Sequence, residues 1–123
     1  MIHTKYTALV SLKPTSKYSW YGTEYSDLQW VSSDTKPTES EIDAELTRLT
    51  NAEPMKLLRD ERNKRLAACD WVSAKATDTG VAVTTAWKTY RQALRDLPAS
   101  ASPSLDSNGD LDLTSVTWPT EPS

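Results

Sequence analysis

Four oxygen-bearing side chains near the end of the chain have a spacing that is typical of metal binding. Asp106, Asn108, Asp110 and Asp112 fall at alternate positions, like the first ligands of a calcium-binding loop. Such a loop also needs a glycine at its sixth position and a glutamate at its twelfth, and this segment has neither. We therefore interpret the segment as a structural turn around Asn108 and Gly109, and a calcium site as the less favoured alternative.

The side chains that most often perform catalysis are scarce. His3 is the only histidine, and it lies in the first few residues, where a catalytic base would lack a fixed position. Cys69 is the only cysteine, so an intramolecular disulfide is impossible, and we predict that it packs on the inner face of a helix. The 3 glycines are not clustered, so no phosphate-binding loop is present. We expect no enzymatic activity, no cofactor and no bound metal.

The composition is that of a small acidic protein. With 14 Lys+Arg against 17 Asp+Glu, the 123 residues have a net charge of −3, which argues against a nucleic-acid scaffold. Only 37% of the residues are hydrophobic, and 5 Trp and 5 Tyr with no Phe predict a core that uses aromatic rings with a polar edge. No apolar run reaches the roughly 18 residues of a membrane span. We expect neither a nucleic-acid nor a membrane partner, and a soluble protein of the cytoplasm.

The region 1–36 predicts a small antiparallel sheet. Apolar residues alternate with polar ones over residues 6–12, and shorter alternating stretches lie at 17–21 and 26–31. The turn-forming residues between them include Pro14 and Gly22. The pattern predicts a three-stranded meander, which needs a further layer to pack against.

A capping box opens the second region, 37–98. The hydroxyl of Thr38 is placed to accept a hydrogen bond from the amide of Glu41, which predicts a helix over 38–51. We expect Pro54 to interrupt this helix, because proline has no amide hydrogen to donate. The helix has an apolar stripe at positions i, i+4 and i+7, formed by Ile42, Leu46 and Leu49.

Two further helical patterns predict an antiparallel helical hairpin. The first helix covers 55–72, the second 85–97, and we interpret 73–84 as the loop between them. Glu61 and Arg65 have the i, i+4 spacing of an ion pair on the exposed face. The remaining residues, 99–123, are small and polar, and predict an extended C-terminal tail with a short strand near Leu111 and Leu113. The whole chain is therefore predicted to be an α+β protein.

Three segments of the chain resemble one protein family. They are 58–71 (LRDERNKRLAACDW), 87–98 (WKTYRQALRDLP) and the terminal 118–119 (WP), and in this order they resemble the tail assembly chaperones of tailed bacteriophages. Residues 11–38 are similar to N-terminal extensions of some of these phage proteins. The chain departs from many members in its 73–84 loop and in an insert at 104–117.

The resemblance implies a protein that helps a tail or tail-fibre protein to assemble, through direct binding and without catalysis. It would act in the cytoplasm of the infected bacterium, and retention in the finished tail stays open, as does a symmetric homo-oligomer in the tail. The alternative is a permanent structural component of the tail, attached to a fibre or to the baseplate.

Aromatic and arginine side chains are the residues that most often supply interface energy. We predict that eight residues contact the partner: Trp20, Tyr21, Trp87, Tyr90, Arg91, Arg95, Trp118 and Pro119. Trp118 lies in a polar, proline-rich terminus, so it either folds back on the helices or binds another molecule. We expect Trp118→Ala to weaken partner binding more than it lowers the melting temperature, whereas equal losses would indicate a core role.

Overall fold

A computed structural model describes all residues, Met1–Ser123, and has a mixed α+β architecture, which confirms the predicted class. The elements in chain order are α1 (Lys5–Leu12), β1 (Tyr18–Trp20), β2 (Leu28–Trp30), α2 (Glu39–Ala68), α3 (Trp71–Thr79) and α4 (Thr85–Ser100). Single 3-10 turns lie at Tyr25–Asp27 and Leu113–Ser115. No helix is both long enough and apolar enough to cross a membrane.

The chain divides into two compact units, Met1–Glu53 and Pro54–Ser123. In the first unit, β1 and β2 pair antiparallel, with Tyr18 opposite Trp30. A core of Ala8, Leu9, Leu28 and Ile42 lies between this sheet and the helices. The predicted apolar stripe of α2 is confirmed, because Ile42 is buried and Leu46 and Leu49 pack against the same core.

The predicted first strand, residues 6–12, is wrong, because this segment is the helix α1. Thr4 caps the helix and accepts a hydrogen bond from the amide of Thr7. Ala8 and Leu9 are both fully buried, whereas Val10 is exposed, and neighbouring buried residues fit a helix rather than a strand. Over so few residues, the alternation of apolar and polar side chains fits the period of a strand as well as that of a helix. The N-cap at Thr4 favours the helix.

The predicted three-stranded sheet is therefore corrected to two strands. Two strands alone are marginal in water, and α1 packs against them as the further layer that so small a sheet needs. The ring of Tyr18 stacks on Trp30 with centroids 5.8 Å apart and meets Tyr6 of α1 edge-on at 6.4 Å. These aromatic contacts join the helix to the sheet.

The predicted helix break before Pro54 is also wrong. The helix α2 continues through Pro54, so the predicted helices 38–51 and 55–72 share one continuous segment. Its predicted N-cap is confirmed, since the amide of Glu41 donates to Thr38 Oγ1 at 3.1 Å. Proline removes one helical hydrogen bond, and buried residues on both sides of it, Ile42 and Leu58, keep the flanking turns packed.

In the second unit, α2 ends at Ala68 and a turn at residues 69–70 leads into α3. Most of the predicted 73–84 loop is therefore helical, which corrects the loop to residues 80–84. Gly80 has a φ of 72° and ends α3, because other residues rarely adopt this left-handed conformation. The predicted start of α4 at Thr85 is confirmed, and the helix continues to Ser100.

The helices of the second unit pair in opposite directions. The Arg62 guanidinium donates to the carbonyl of Arg95 near one end, and Arg91 donates to the carbonyl of Leu66 further along. The predicted short strand in the tail is reduced to one antiparallel bridge between Leu105 and Leu111, followed by the 3-10 turn.

Candidate functional site

An apolar groove lies in the second unit, between α3, the 80–84 segment and the start of α4. Its volume is about 160 Å³. Two tryptophans face each other edge-on within it, with the ring centroids of Trp71 and Trp87 5.5 Å apart. The lining residues are Trp71, Val72, Lys75, Ala76, Thr79, Val81, Ala82, Val83, Thr84 and Trp87.

The groove exposes large apolar side chains. Trp71 is 52% exposed and Val81 is 68% exposed, although both are of types that usually pack in a core. Exposed apolar surface that is concave and rimmed by polar residues is typical of a binding site for another molecule.

The position of Trp71 depends on Arg91 of α4. The Arg91 guanidinium donates to Asp70 Oδ1 at 3.1 Å and to Cys69 Sγ at 3.0 Å, and it also reaches the carbonyl of Leu66 at 3.2 Å. Burial lowers the pKa of Arg91, but hydrogen bonds to Cys69 and Asp70 outweigh that effect and raise it above its usual value. Arg91 therefore fixes the turn from which α3 and its first residue, Trp71, emerge.

Trp87 is positioned by the N-terminus of α4. The hydroxyl of Thr84 accepts a hydrogen bond from the amide of Trp87 at 3.4 Å, which caps the helix. The Trp87 ring also meets the ring of Tyr90 edge-on at 5.9 Å. Tyr90 is buried, and this burial raises the pKa of its hydroxyl.

The C-terminal segment folds back on the helices of the same unit. The Arg65 guanidinium lies 4.1 Å from the centre of the Trp118 ring, a cation–π contact. Trp118 packs against the core formed by Cys69, Val72, Tyr90 and Leu94, and its Nε1 donates to the carbonyl of Leu113 at 3.2 Å.

The structure brings four of the eight predicted partner residues together around this unit's core. Trp87 lines the groove and Arg91 holds the turn beside it, whereas Tyr90 and Trp118 pack inward. Pro119 is half-buried, and Arg95 is exposed on α4, where it donates to Gln92. In the first unit, Trp20 packs against the core and Tyr21 is 86% exposed. A partner contact at any of these residues stays a prediction.

Sequence reasoning missed Trp71, Lys75 and Val81 as site residues. Trp71 was the last residue of a recognised motif, and Val81 begins a short apolar run in a segment interpreted as a loop. An apolar run in a connection between helices is the signal that would have identified the groove, because loop residues are usually polar.

A second apolar groove lies in the first unit, lined by the N-terminal residues, α1 and one residue of α2. It is lined by Met1, His3, Tyr6, Thr7, Val10, Ser11 and Leu49. One lining residue, His3, is paired with a buried carboxylate, since its Nε2 lies 2.8 Å from a carboxylate oxygen of Glu53.

No residue cluster is arranged to hold a metal: no group of three or more His, Cys, Asp or Glu side chains is suitably placed. The 106–112 segment is a turn, as predicted. A carboxylate oxygen of Asp106 accepts hydrogen bonds from the amides of Asn108 at 2.8 Å and Asp110 at 3.0 Å.

The comparison with known protein families concerns the second unit. The family model described as phage tail assembly chaperone protein matches residues 55–123, which begin one residue after the start of this unit. The chain belongs to the phage tail assembly chaperone family. No curated protein and no solved structure matches it.

Membership places the protein's role in the assembly of a phage tail, in the infected host cell. The apolar groove, Arg91 and the Trp118 segment all lie inside the matched residues, whereas Trp20, Tyr21 and the groove on α1 lie outside them.

Proposed function

We propose that this phage tail assembly chaperone binds a tail or tail-fibre protein directly, through the groove between Trp71 and Trp87. The observation that carries the proposal is the exposure of large apolar side chains in a concave surface of the family-matched unit. A chaperone must cover apolar surface of its client before that surface is buried in the assembled tail, and a complementary apolar groove performs this task.

The proposal assigns different roles to the aromatic and arginine residues of the unit. Trp71 and Trp87 contact the client. Arg91 is a positioning residue, since it holds the turn before Trp71. Tyr90 and Leu94 form the core beneath them.

Co-expression with each tail protein of the same phage, one at a time, tests direct binding. We expect one tail or tail-fibre protein to co-purify with the chain at a fixed ratio. Failure of every tail protein to co-purify, with both chains folded, would overturn the proposal.

Counting the chain in purified phage particles by quantitative mass spectrometry distinguishes a chaperone from a permanent tail component. We expect the chain to be depleted from finished particles while it accompanies its client in lysates of infected cells. A whole-number ratio to one tail protein in the particle would instead make it a structural subunit.

A further inference from the structure

The groove is suited to side chains of a polypeptide rather than to a small-molecule ligand. Its volume of about 160 Å³ is below the range of about 300–1,000 Å³ that is usual for small-molecule sites. Its walls are apolar apart from Lys75 and two threonine hydroxyls. A cavity of this kind accommodates apolar side chains that project from a longer chain.

The segment beside the groove has free hydrogen-bonding groups in its backbone. Ala82 and Val83 lie outside any helix or strand and make no hydrogen bond within the chain, and Ala82 is exposed. A backbone with unpaired amide and carbonyl groups next to an apolar cavity favours an extended partner, which pairs with it as an added strand. A helical partner has no free main-chain groups to use here.

The lining of the groove contains one positive charge. Lys75 is the only charged residue in the lining, and its ammonium group makes no ion pair. The adjoining start of α4 has no acidic residue in its first turn, so nothing there offsets the charge of Lys75. Asp78 follows Lys75 by three positions on α3, but it makes no ion pair with Lys75 and lies outside the lining. A negatively charged group on the occupant complements this surface.

We infer that the groove binds an extended segment of the client that places apolar side chains between Trp71 and Trp87 and a carboxylate at Lys75. This inference rests on the proposed function and specifies the chemistry of the partner. The client backbone pairs with Ala82 and Val83, and the carboxylate sets the register of the segment in the groove.

Synthetic peptides without tryptophan test the inference on the full chain. The probes are Ac-TLSVTD-NH2 and its matched control Ac-TLSVTN-NH2, and tryptophan emission reports occupancy of the groove. At low ionic strength we expect the acidic peptide to bind about two- to fivefold more tightly than the control, as for an exposed ion pair. The difference should disappear in 0.5 M salt because of screening.

Two variants and one modified peptide complete the test. Lys75→Gln should abolish the preference for the acidic peptide, whereas Lys64→Gln, an exposed lysine of α2 outside the groove, should retain it. N-methylation of the peptide valine should weaken binding about two- to tenfold through the loss of a main-chain hydrogen bond.

The inference is overturned if neither peptide changes the tryptophan emission at millimolar concentration, if both bind equally at low salt, or if Lys75→Gln keeps the preference. These outcomes leave the proposed function standing wherever a tail protein still co-purifies with the chain. Absence of any co-purifying tail protein refutes the proposed function itself, whatever the peptides do.

Discussion

The sequence predicts Trp118 as a partner-contact residue, and in the structure this side chain packs within its own unit. The indole packs on the core of the second unit and carries the Arg65 guanidinium on its face. Sequence reasoning left two positions open for this residue, folded back or bound to another molecule. Its packed position in the structure is the folded-back one, so we expect a contribution to stability, while a partner contact of Trp118 stays a prediction.

Trp118→Ala should lower the free energy of unfolding by about 2 kcal/mol, because it removes a half-buried aromatic ring and a cation–π contact. Trp118→Phe keeps most of the packing and should cost about half as much. Thermal denaturation of both variants shows whether Trp118→Ala loses more stability than Trp118→Phe. If Trp118→Ala leaves the melting temperature unchanged and instead reduces client affinity by tenfold or more, Trp118 is a contact residue.

Glu45 gives the first unit a pH-dependent contribution to stability. Hydrogen bonds from Arg48, and then from Ser11 of α1, lower the pKa of its carboxyl to about 2 from 4.5. The folded state therefore favours the ionised carboxylate. This contribution is fully present above about pH 4.5 and is lost as the pH falls from there to about 2.

Glu45→Gln should therefore flatten the loss of stability between about pH 4.5 and pH 2. Urea denaturation at several pH values measures the effect. Glu41→Gln, on the same helix and without an ion pair, is the control and should keep the wild-type profile. A Glu45→Gln profile that parallels the wild type would show that the carboxylate contributes nothing.

At the scale of elements, the helices with strong end signals were predictable from the sequence. The cap at Thr38, the stripe of Ile42 and the start of α4 all have the predicted positions. α1 was missed, because seven alternating residues fit a strand as well as a helix and the capping pattern at Thr4 was not recognised.

The groove could not be predicted, because it depends on how three elements meet. Trp71 and Trp87 are 16 positions apart in the sequence, and no local period relates them. The helical character of 71–79 was also hidden, since only Val72 among these residues is buried and α3 lacks an apolar stripe. Of the residues that line the groove, the sequence predicts only Trp87 as a contact residue, from its residue type.

Pro54 lies inside α2, and its effect on the stability of this helix can be measured with one substitution. Proline in a helix interior removes one hydrogen bond and crowds the carbonyl four residues earlier, here that of Thr50. Pro54→Ala should raise the free energy of unfolding by about 1–3 kcal/mol and increase the helical circular dichroism.

Pro119→Ala, outside any helix, is the matched control and should change neither quantity. A loss of stability in Pro54→Ala would show that the proline ring itself is needed for packing, since Pro54 is half-buried.

For the whole molecule, the family match and the apolar groove fall in the same part of the chain. The matched residues, 55–123, contain the groove with its two exposed apolar side chains, Trp71 and Val81. The protein has a net charge of −3, whereas the only charged residue in the lining of the groove is a lysine, so the lining differs in charge from the protein average. A symmetric homo-oligomer remains a prediction.

We propose that the groove binds the client, and a pair of matched substitutions tests this binding. Val81 of the groove and Val31 of the first unit are the same residue type with nearly equal exposure, 68% and 67%. Val81→Asp puts a charge into the apolar groove, whereas Val31→Asp puts the same charge on a surface outside the family-matched residues.

The decisive measurement is the affinity of the co-purifying tail protein for the wild type and both variants, with their melting temperatures. We predict that Val81→Asp lowers the affinity about tenfold or more, equivalent to about 1.4 kcal/mol, while its melting temperature stays within about 2 °C of the wild type. Val31→Asp should bind within about twofold of the wild type. Wild-type affinity in Val81→Asp, with the client bound and both proteins folded, would show that the groove does not bind the client.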